Sequence, residues 1–592
     1  DTRYMTKEHL FCPSERSVGG TVRSSIMQHI MQNGSFMVPE IATATGFSLT
    51  TVAKYVSEML AAGQIVETDR ICLHAKGRRT VRYGVRPEAC PCFMGVDMRA
   101  FELNIGLVDF VGQPVRIERH MDFRLENTRD TLDEVCRRIQ RFVATLDGIA
   151  PERIAGINIT ASHNPPEYNG YKVYWEDGAQ VTPPHDTGIM AEVAKVTSFD
   201  MVKTMEKEKA QAEGLYQIIS DDVDESYFAE LRNLSIHPEI IKKMAKDIKI
   251  VYTPLHGTGL GPVKRVLHDL GFENVYIEPQ QAVADGHFPT APYPNPENPD
   301  AWELALKLAK EKDADLVLAT DPDADRLGVY CKDTKSGEYV TFTGNMSAML
   351  IAEYILGQKR ANNTMPENPV LVESIVSTDM AKAIAKAYDV ELVEVLTGFK
   401  YIGEQMLKYE KSGEKNYVFG FEESYGCLPG TYARDKDAPA AVCMLCEVAA
   451  FYKSQGKTLW DGMIDMYEKY GYYREGIATM TLKGIDGAAQ IQQIMDRARK
   501  STPEKLGAFD VLAVRDYKAD TRKDLKTGET TSTGLPSSNV LYYELSDNAW
   551  CCVRPSGTEP KIKFYVGVKG STLDAADQML EDLKAEVLKH FE

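Results

Sequence analysis

At 592 residues the chain is too long for one hydrophobic core, and its length predicts about four to six compact units of roughly 100 to 150 residues. A hydrophobic content of 43% and a charged content of 26% are those of an ordinary globular protein. A net charge of −18 argues against general affinity for nucleic acid or acidic membranes. Residues 1–90 depart from that balance, with eleven Lys/Arg against eight Asp/Glu, a net of +3 that leaves −21 on the remainder. The eleven cysteines are scattered, and neither Cys90-Pro-Cys92 nor Cys443-Met-Leu-Cys446 has a partner pair at zinc spacing, so a reducing, cytoplasmic setting is expected. No apolar run is long enough to span a membrane and no signal-peptide pattern is visible, so no membrane partner is expected. The chain opens on Asp1 rather than Met, which suggests that its natural start lies upstream.

Residues 21–33 place Ile26 and Ile30 on one helical face, with Gly34 as a stop. Val38 to Ala44 reads as a second helix, Gly46-Phe-Ser48 as a turn, and Leu49 to Ala62 as a third helix with Val52, Val56, Met59 and Leu60 inward. This is the spacing of a helix-turn-helix. Residues 64–67 and 80–85 read as a two-stranded wing around the basic loop Lys76-Gly-Arg-Arg79. Ser48, Thr50, Thr51 and Lys54 would then face a DNA groove while Arg78, Arg79 and Arg82 meet phosphates. A small packing or dimerisation module is the competing expectation.

Met94 to His120 reads as strands in a hairpin meander, followed by a helix over 129–146. On these patterns residues 21 to about 158 resemble the N-terminal part of the ROK family of repressors, a winged helix followed by half of an actin-like sugar-kinase fold. Asp97 is followed by Met-Arg-Ala rather than a glycine-rich phosphate turn, so ATP binding is not expected.

The apolar run Ile154-Ala-Gly-Ile-Asn-Ile159 suits a buried strand, and Pro165-Pro166 forbids a regular element directly after it, so Ser162 sits on a tight turn at a strand end. Lys172 could return to the same cleft after the Asn169-Gly170 turn. A hydroxyl able to carry a phosphoryl group beside an amine able to move a proton suits phosphoryl transfer; a plain Pro-rich turn is the alternative. From here strands alternate with helices, which implies open, mostly parallel α/β sheets with ligands beyond the carboxyl ends of the strands. Phe288 to Pro299 reads as a long surface loop.

The strand Ala314 to Thr320 runs into Asp321-Pro-Asp-Ala-Asp-Arg-Leu-Gly328, where Asp321, Asp323 and Asp325 can converge on one hard cation. Oxygen-only ligation favours Mg²⁺ over zinc. An EF-hand would need glycine and glutamate where Arg326 and Lys332 stand. Glu422, Glu423 and Ser424, on a Gly-bounded loop, suit hydrogen bonds to sugar hydroxyls, and Lys400 could join them; a glycosidase acid pair has no use for the metal triad. Near the C-terminus a strand opens into Arg554-Pro-Ser-Gly-Thr-Glu-Pro560, in which Arg554 can grip an anion bidentately and Ser556, Gly557 and Thr558 offer N–H groups and hydroxyls.

In this order the motifs resemble the α-D-phosphohexomutase superfamily, in its phosphoglucomutase, phosphomannomutase and phosphopentomutase branch, from about Gly156 to the C-terminus. The resemblance implies that Ser162 is phosphorylated, that Asp321, Asp323 and Asp325 hold Mg²⁺ together with the seryl phosphate, that Lys172 is an acid/base, and that Arg326 lies near the transferred group. It implies that Glu422 and Ser424 contact the sugar, that Arg554, Ser556, Gly557 and Thr558 hold the non-reacting phosphate, and that glucose 1,6-bisphosphate is activator and intermediate. The activity expected is glucose 1-phosphate to glucose 6-phosphate; mannose or pentose phosphates, or a sugar-responsive DNA-binding regulator, are the alternatives.

The fold expected is a multi-domain α/β one: phosphohexomutase-like mixed α/β sheets and a C-terminal α+β domain, preceded by a winged helix-turn-helix and half of an actin-like ATPase lobe. The divisions are 1–86, 87–157, 158–235 for the serine loop, 236–340 for the metal loop, 341–475 for the sugar loop and 476–592 for the phosphate loop. No Gly-Thr-x-Gly-x-Arg-Gly segment precedes Ser162, so the first mutase domain is expected to be truncated, and the two resemblances meet within Gly156-Ile-Asn-Ile-Thr160 as if two halves had been fused.

Overall fold

A computed structural model describes residues 26, 35–45, 47–61, 65–71, 80–84, 93–99, 102–108, 114–120, 156–164, 170–174, 177–183, 186, 189, 207–212, 216, 221–482, 487–555 and 561–592. The chain divides into two compact units, one of residues 1–161 and 166–219 and one of residues 162–165 and 220–592.

In the first unit, helices Val38–Thr45 and Leu49–Ala61 precede strands Val66–Ile71 and Thr80–Gly84. Thr80–Gly84 is the central strand of an antiparallel three-stranded sheet whose other edge is Ser35–Phe36, so the expected strand pair gains a third member. Val52, Val56 and Met59 recur at helical spacing and are buried with Ile26, Phe36, Ile41 and Ile65; Leu60 is only partly buried. The N–H of Thr51 donates to Ser48 Oγ at 3.1 Å, which starts the second helix by satisfying an otherwise orphaned donor. Strands Phe93–Arg99, Glu102–Val108 and Pro114–His120 form the expected meander, and Ile157–Thr160 pairs antiparallel with Gly170–Val173. The helix expected over 129–146 and the basic loop with Lys76, Arg78 and Arg79 lie outside the described residues.

The second unit holds two α/β sheets and an antiparallel one. In the first, Asn274–Ile277, Lys249–Thr253 and Leu316–Thr320 run parallel, and Leu327–Lys332 and Tyr339–Phe342 continue antiparallel. In the second, Glu391–Val395, Pro369–Ser374 and Asn416–Phe421 run parallel and Cys427–Pro429 closes the edge antiparallel. These sheets are more mixed than the strand–helix alternation implied, for a local reason. A parallel return needs a crossover of a dozen or more residues, whereas residues 321–326 and 422–426 are short enough only for a hairpin. The chemically loaded loops are therefore themselves the turns that reverse the chain.

One core serves both sheets. Helices Gly344–Ala361 and Ala438–Ser454 are apolar on nearly every face and buried along most of their length between the sheets. The C-terminal sheet runs Tyr472–Thr481, Lys561–Gly570, Trp550–Pro555, Leu541–Leu545, Phe509–Asp516, Thr521–Asp524 and Thr530–Thr531, with its own core under helix Leu573–Phe591. Ile375, Val376 and Leu396 of the second α/β layer pack with Tyr542, Trp550 and Tyr565 of this sheet, which fastens the C-terminal domain by an apolar contact. The segment from Phe288 to Pro299 is less of a surface loop than expected: Asn295 is buried, and the indole N–H of fully buried Trp302 donates to the Pro296 carbonyl at 2.9 Å.

Candidate active site

Ser162 lies in the turn after strand Ile157–Thr160, at φ 51°, a left-handed conformation a non-glycine residue holds only where its surroundings enforce it. Its Oγ donates to Asp321 Oδ2 at 3.2 Å and lies 3.1 Å from His163 Nδ1. Burial, then the positive charge of Arg326, pushes the His163 imidazole down to about 3, with Lys563 and Lys436 acting in the same direction. At neutral pH this ring is uncharged and can exchange a hydrogen bond with the serine.

Asp321 is fully buried, and its Oδ1 accepts the backbone N–H groups of Asp325 at 3.1 Å and Arg326 at 3.0 Å, so the loop folds around its own first carboxylate. A left-handed Ala324, at φ 57°, makes that curl possible. Ligand oxygens of Asp321, Asp323 and Asp325 lie within 4.8 Å of one another. Burial first, then the charges of Asp325 and Asp323, pushes the Asp321 carboxyl well above the usual range. Crowded carboxylates that only partly tolerate ionisation, with oxygen as the sole donor type, fit a hard divalent cation such as Mg²⁺.

The backbone holding this loop is fixed from two sides. The Thr258 N–H donates to the Pro322 carbonyl at 2.8 Å, and the Ala438 N–H, at the start of the long buried helix, donates to the Ala324 carbonyl at 3.1 Å. Arg326 Nε lies 3.6 Å from Asp325 and 3.8 Å from Asp321, and its Nη1 reaches Glu297 Oε1 at 3.2 Å. Lys436 Nζ lies 3.0 Å from Asp325 Oδ2 and 5.7 Å from the centre of the Phe399 ring. Burial opposes its charge, but Asp325, Asp435 and Glu422 outweigh burial and keep the ammonium protonated. Two cations thus flank the serine and the triad, which suits charge developing on a transferred phosphoryl group.

The Glu422–Gly426 turn stands next to this loop, since the Leu327 N–H donates to the Tyr425 carbonyl at 2.9 Å. The Gly398 N–H donates to Glu422 Oε1 at 2.6 Å, and Ser374 Oγ donates to Glu423 Oε2 at 2.9 Å. Lys400 is half-buried in the first turn of helix Phe399–Ser412, two residues from Gly398. Arg554 ends strand Trp550–Pro555 opposite Lys563, half-buried; Ser556, Gly557 and Thr558 lie outside the described residues. Lys172 belongs to the first unit, on strand Gly170–Val173 opposite Asn158, whereas Ser162 belongs to the second. Thr50 and Lys54 are exposed on helix Leu49–Ala61 and Thr51 is half-buried; Arg78 and Arg79 are outside the described residues.

Models of the phosphoglucomutase/phosphomannomutase α/β/α domains match the chain at residues 149–200 for domain I, 225–336 for domain II and 343–470 for domain III. The phosphoglucomutase of Staphylococcus epidermidis is 34% identical over 429 residues, 72% of this chain and 76% of the relative. The chain belongs to the phosphoglucomutase/phosphomannomutase family. The phosphoglucomutase of Staphylococcus haemolyticus is likewise 34% identical, over 430 residues, 72% of this chain and 75% of the relative. The fold is shared with the open form of the Paramecium phosphoprotein pp63/parafusin, a phosphoglucomutase, at a TM-score of 0.51 and 16% identity, over 76% of this chain and 80% of that one. As a member of this family the protein is a phosphosugar mutase, an isomerase that works by phosphotransfer. Among the described residues no helix is long and apolar enough to cross a membrane.

Lys436, His163 and Glu297 were not singled out from the sequence. Lys436 had a visible signal, the charged run Arg434-Asp-Lys-Asp437 set directly before an apolar helix. Glu297 had none, because its role depends on where Trp302 ties down a proline-rich segment.

Proposed function

We propose that this phosphosugar mutase interconverts glucose 1-phosphate and glucose 6-phosphate through a phosphorylated Ser162 and a glucose 1,6-bisphosphate intermediate. The observation that carries the reading is the approach of Ser162 Oγ to Asp321 within a converged carboxylate triad flanked by Arg326 and Lys436. Asp321, Asp323 and Asp325 would hold Mg²⁺. When bound, that ion would offset the roughly −1.5 to −2 charge of a phosphoserine among three aspartates.

Ser162 delivers the phosphoryl group to a sugar hydroxyl and later recovers one from the opposite end of the bisphosphate, so the enzyme returns to its starting form. Arg326 and Lys436 face the phosphoryl oxygens. Lys172 is assigned the proton exchanged with the sugar hydroxyl, and neutral His163 holds the serine oxygen in line. Glu422, Ser424 and Lys400 orient the sugar, and Arg554 with Ser556, Gly557 and Thr558 holds the phosphate that is not reacting. The divisions at 158–235, 236–340, 341–475 and 476–592 assign one of these loops to each domain. Mannose or pentose phosphates are the alternative substrates.

The test is a coupled assay of protein activated with glucose 1,6-bisphosphate, alongside intact-mass analysis. Wild type should turn over and carry a phosphate that Ser162→Ala lacks; unchanged turnover in Ser162→Ala would remove the serine from this role.

A second reading concerns residues 21–86, assigned as a winged helix of ROK type that binds DNA. It is supported by the exposed polar start of helix Leu49–Ala61, with Thr50 and Lys54, in the net-positive part of an acidic chain. Salt-sensitive binding to a palindromic duplex that Lys54→Ala weakens is expected; salt-independent or absent binding refutes it.

A further inference from the structure

The sugar-facing and phosphate-gripping loops belong to different layers, yet a buried chain of polar groups joins them. At one end is Glu423, whose Oε2 accepts Ser374 Oγ at 2.9 Å. Ser374 Oγ is 2.9 Å from Ser377 Oγ. The Ser377 carbonyl accepts Asn345 Nδ2 at 3.1 Å, and the same amide donates to Glu475 Oε2 at 3.2 Å. The other oxygen of Glu475 accepts the Thr378 hydroxyl, and the Thr378 N–H donates to Glu373 Oε2 at 3.3 Å. Asn345, Ser374, Ser377, Thr378 and Glu373 are all buried.

Glu475 itself stands on Tyr472–Thr481, the first strand of the C-terminal domain. That strand pairs along its whole length with Lys561–Gly570, which leaves the phosphate-binding loop and pairs in turn with the strand carrying Arg554. At the sugar end the fit is equally close: a Cβ on Gly344 would stand 2.3 Å from the Glu423 carbonyl oxygen and 2.6 Å from the Tyr425 nitrogen. The helix that presents Asn345 is therefore pressed against the backbone of the Glu422–Ser424 turn.

A carboxylate with its two oxygens committed to donors of a neighbouring layer is directional in a way an apolar contact is not, because hydrogen bonds lose strength steeply with misalignment. A rotation of the C-terminal domain strains the Glu475 bonds and reaches Glu423 through two serines and an asparagine. We propose that Glu475 is a positioning residue for the mutase reaction, which acts through Asn345, Ser377 and Ser374 to hold the Glu422–Ser424 turn in register with the strand pair that carries the phosphate grip. The inference rests on assigning that turn to the sugar and Arg554 to the phosphate. Its consequence is that the sugar is gripped fully only when the C-terminal domain is seated.

The test is a double-mutant cycle on the full chain, with KM and kcat for glucose 1-phosphate and a melting temperature for each variant. Glu475→Ala should raise KM about tenfold with a much smaller change in kcat, and Glu475→Gln, which keeps one acceptor and lets the Thr378 hydroxyl accept, should restore most of the loss. In a Glu423→Ala background, where no side chain is left to accept the Ser374 hydroxyl, Glu475→Ala should add less than about twofold, because the relay is already cut. Thr378→Val carries the same cycle if Glu475→Ala does not fold. KM effects that multiply in the double variant overturn the relay. Glu422→Ala is measured in parallel: an unchanged KM there overturns the assignment of the turn to the sugar, whereas a raised KM with multiplying Glu475 and Glu423 effects overturns the relay alone.

Discussion

Gly257→Ala tests whether the metal loop depends on a close backbone approach. A Cβ at this position would lie 2.3 Å from Pro322 Cα and 2.6 Å from the Pro322 carbonyl oxygen, and Pro322 separates Asp321 from Asp323. Ordinary contact begins at about 3.4 Å, so one backbone must retreat by roughly 1 Å. The Gly257 side has little freedom. Leu255 and His256 hold left-handed φ values of 47° and 64°, Leu255 is fully buried, and the His256 ring is 2.8 Å from both the Val283 carbonyl and Thr290 Oγ1. Pro322 must therefore move and take two of the three carboxylates with it.

Metal ligands tolerate about 0.2 Å, and a reacting centre displaced by about 1 Å loses roughly a hundredfold in rate. The expected outcome is a rise of about 10- to 100-fold in the Mg²⁺ concentration for half-maximal activity, with a stability loss of about 1–3 kcal/mol from overpacking. The assay is coupled turnover against Mg²⁺ concentration, beside a urea denaturation curve. A variant with wild-type Mg²⁺ dependence would refute the argument that the Gly257–Pro322 approach sets the triad.

Lys436→Met keeps the length of the side chain over Phe399 and removes the ammonium beside Asp325; kcat at saturating Mg²⁺ should fall roughly 10²- to 10³-fold, and a fall of less than threefold would show that Arg326 alone supplies the charge. A third prediction concerns pH. Burial pushes the Glu475 carboxyl from an ordinary 4.5 up to about 7, with Asp379 acting the same way and the Thr378 and Asn345 hydrogen bonds and Arg474 opposing it. The folded state then binds a proton that the unfolded state has lost, so this group lowers stability progressively as pH rises from about 4.5 to about 7. The melting temperature of Glu475→Gln relative to wild type should therefore shift upward between pH 5 and pH 8, and a difference independent of pH would contradict that origin.

Much of the site was legible because its chemistry is local. Asp321, Asp323 and Asp325 alternate over five residues, and their convergence needs only the tight turn that the left-handed Ala324 supplies. Glu422 and Ser424 stood out because a glycine-bounded acidic stretch follows an apolar run. Lys436, Glu297 and Glu475 were not legible in the same way. Each acts on a partner from a distant segment, Asp325, Arg326 or Thr378, and no spacing along the chain encodes such a meeting. The mixed character of the sheets was expected from the family resemblance and not from the strand–helix alternation, which reports which strands exist, whereas the direction of each edge strand follows from whether a short loop leaves room for a crossover.

From the order of residues alone came the family, the loops that carry charge, and the apolar periodicity that builds the cores, since these depend on side-chain type and short-range geometry. Only the folded chain brought Ser162 to within 3.2 Å of Asp321 across 159 positions, set Lys436 beside Asp325, and ran a buried polar chain from Glu423 to Glu475. The physical reason is that low dielectric and close packing make distance and direction decisive for buried charges, and both are properties of the assembled layers rather than of any one segment.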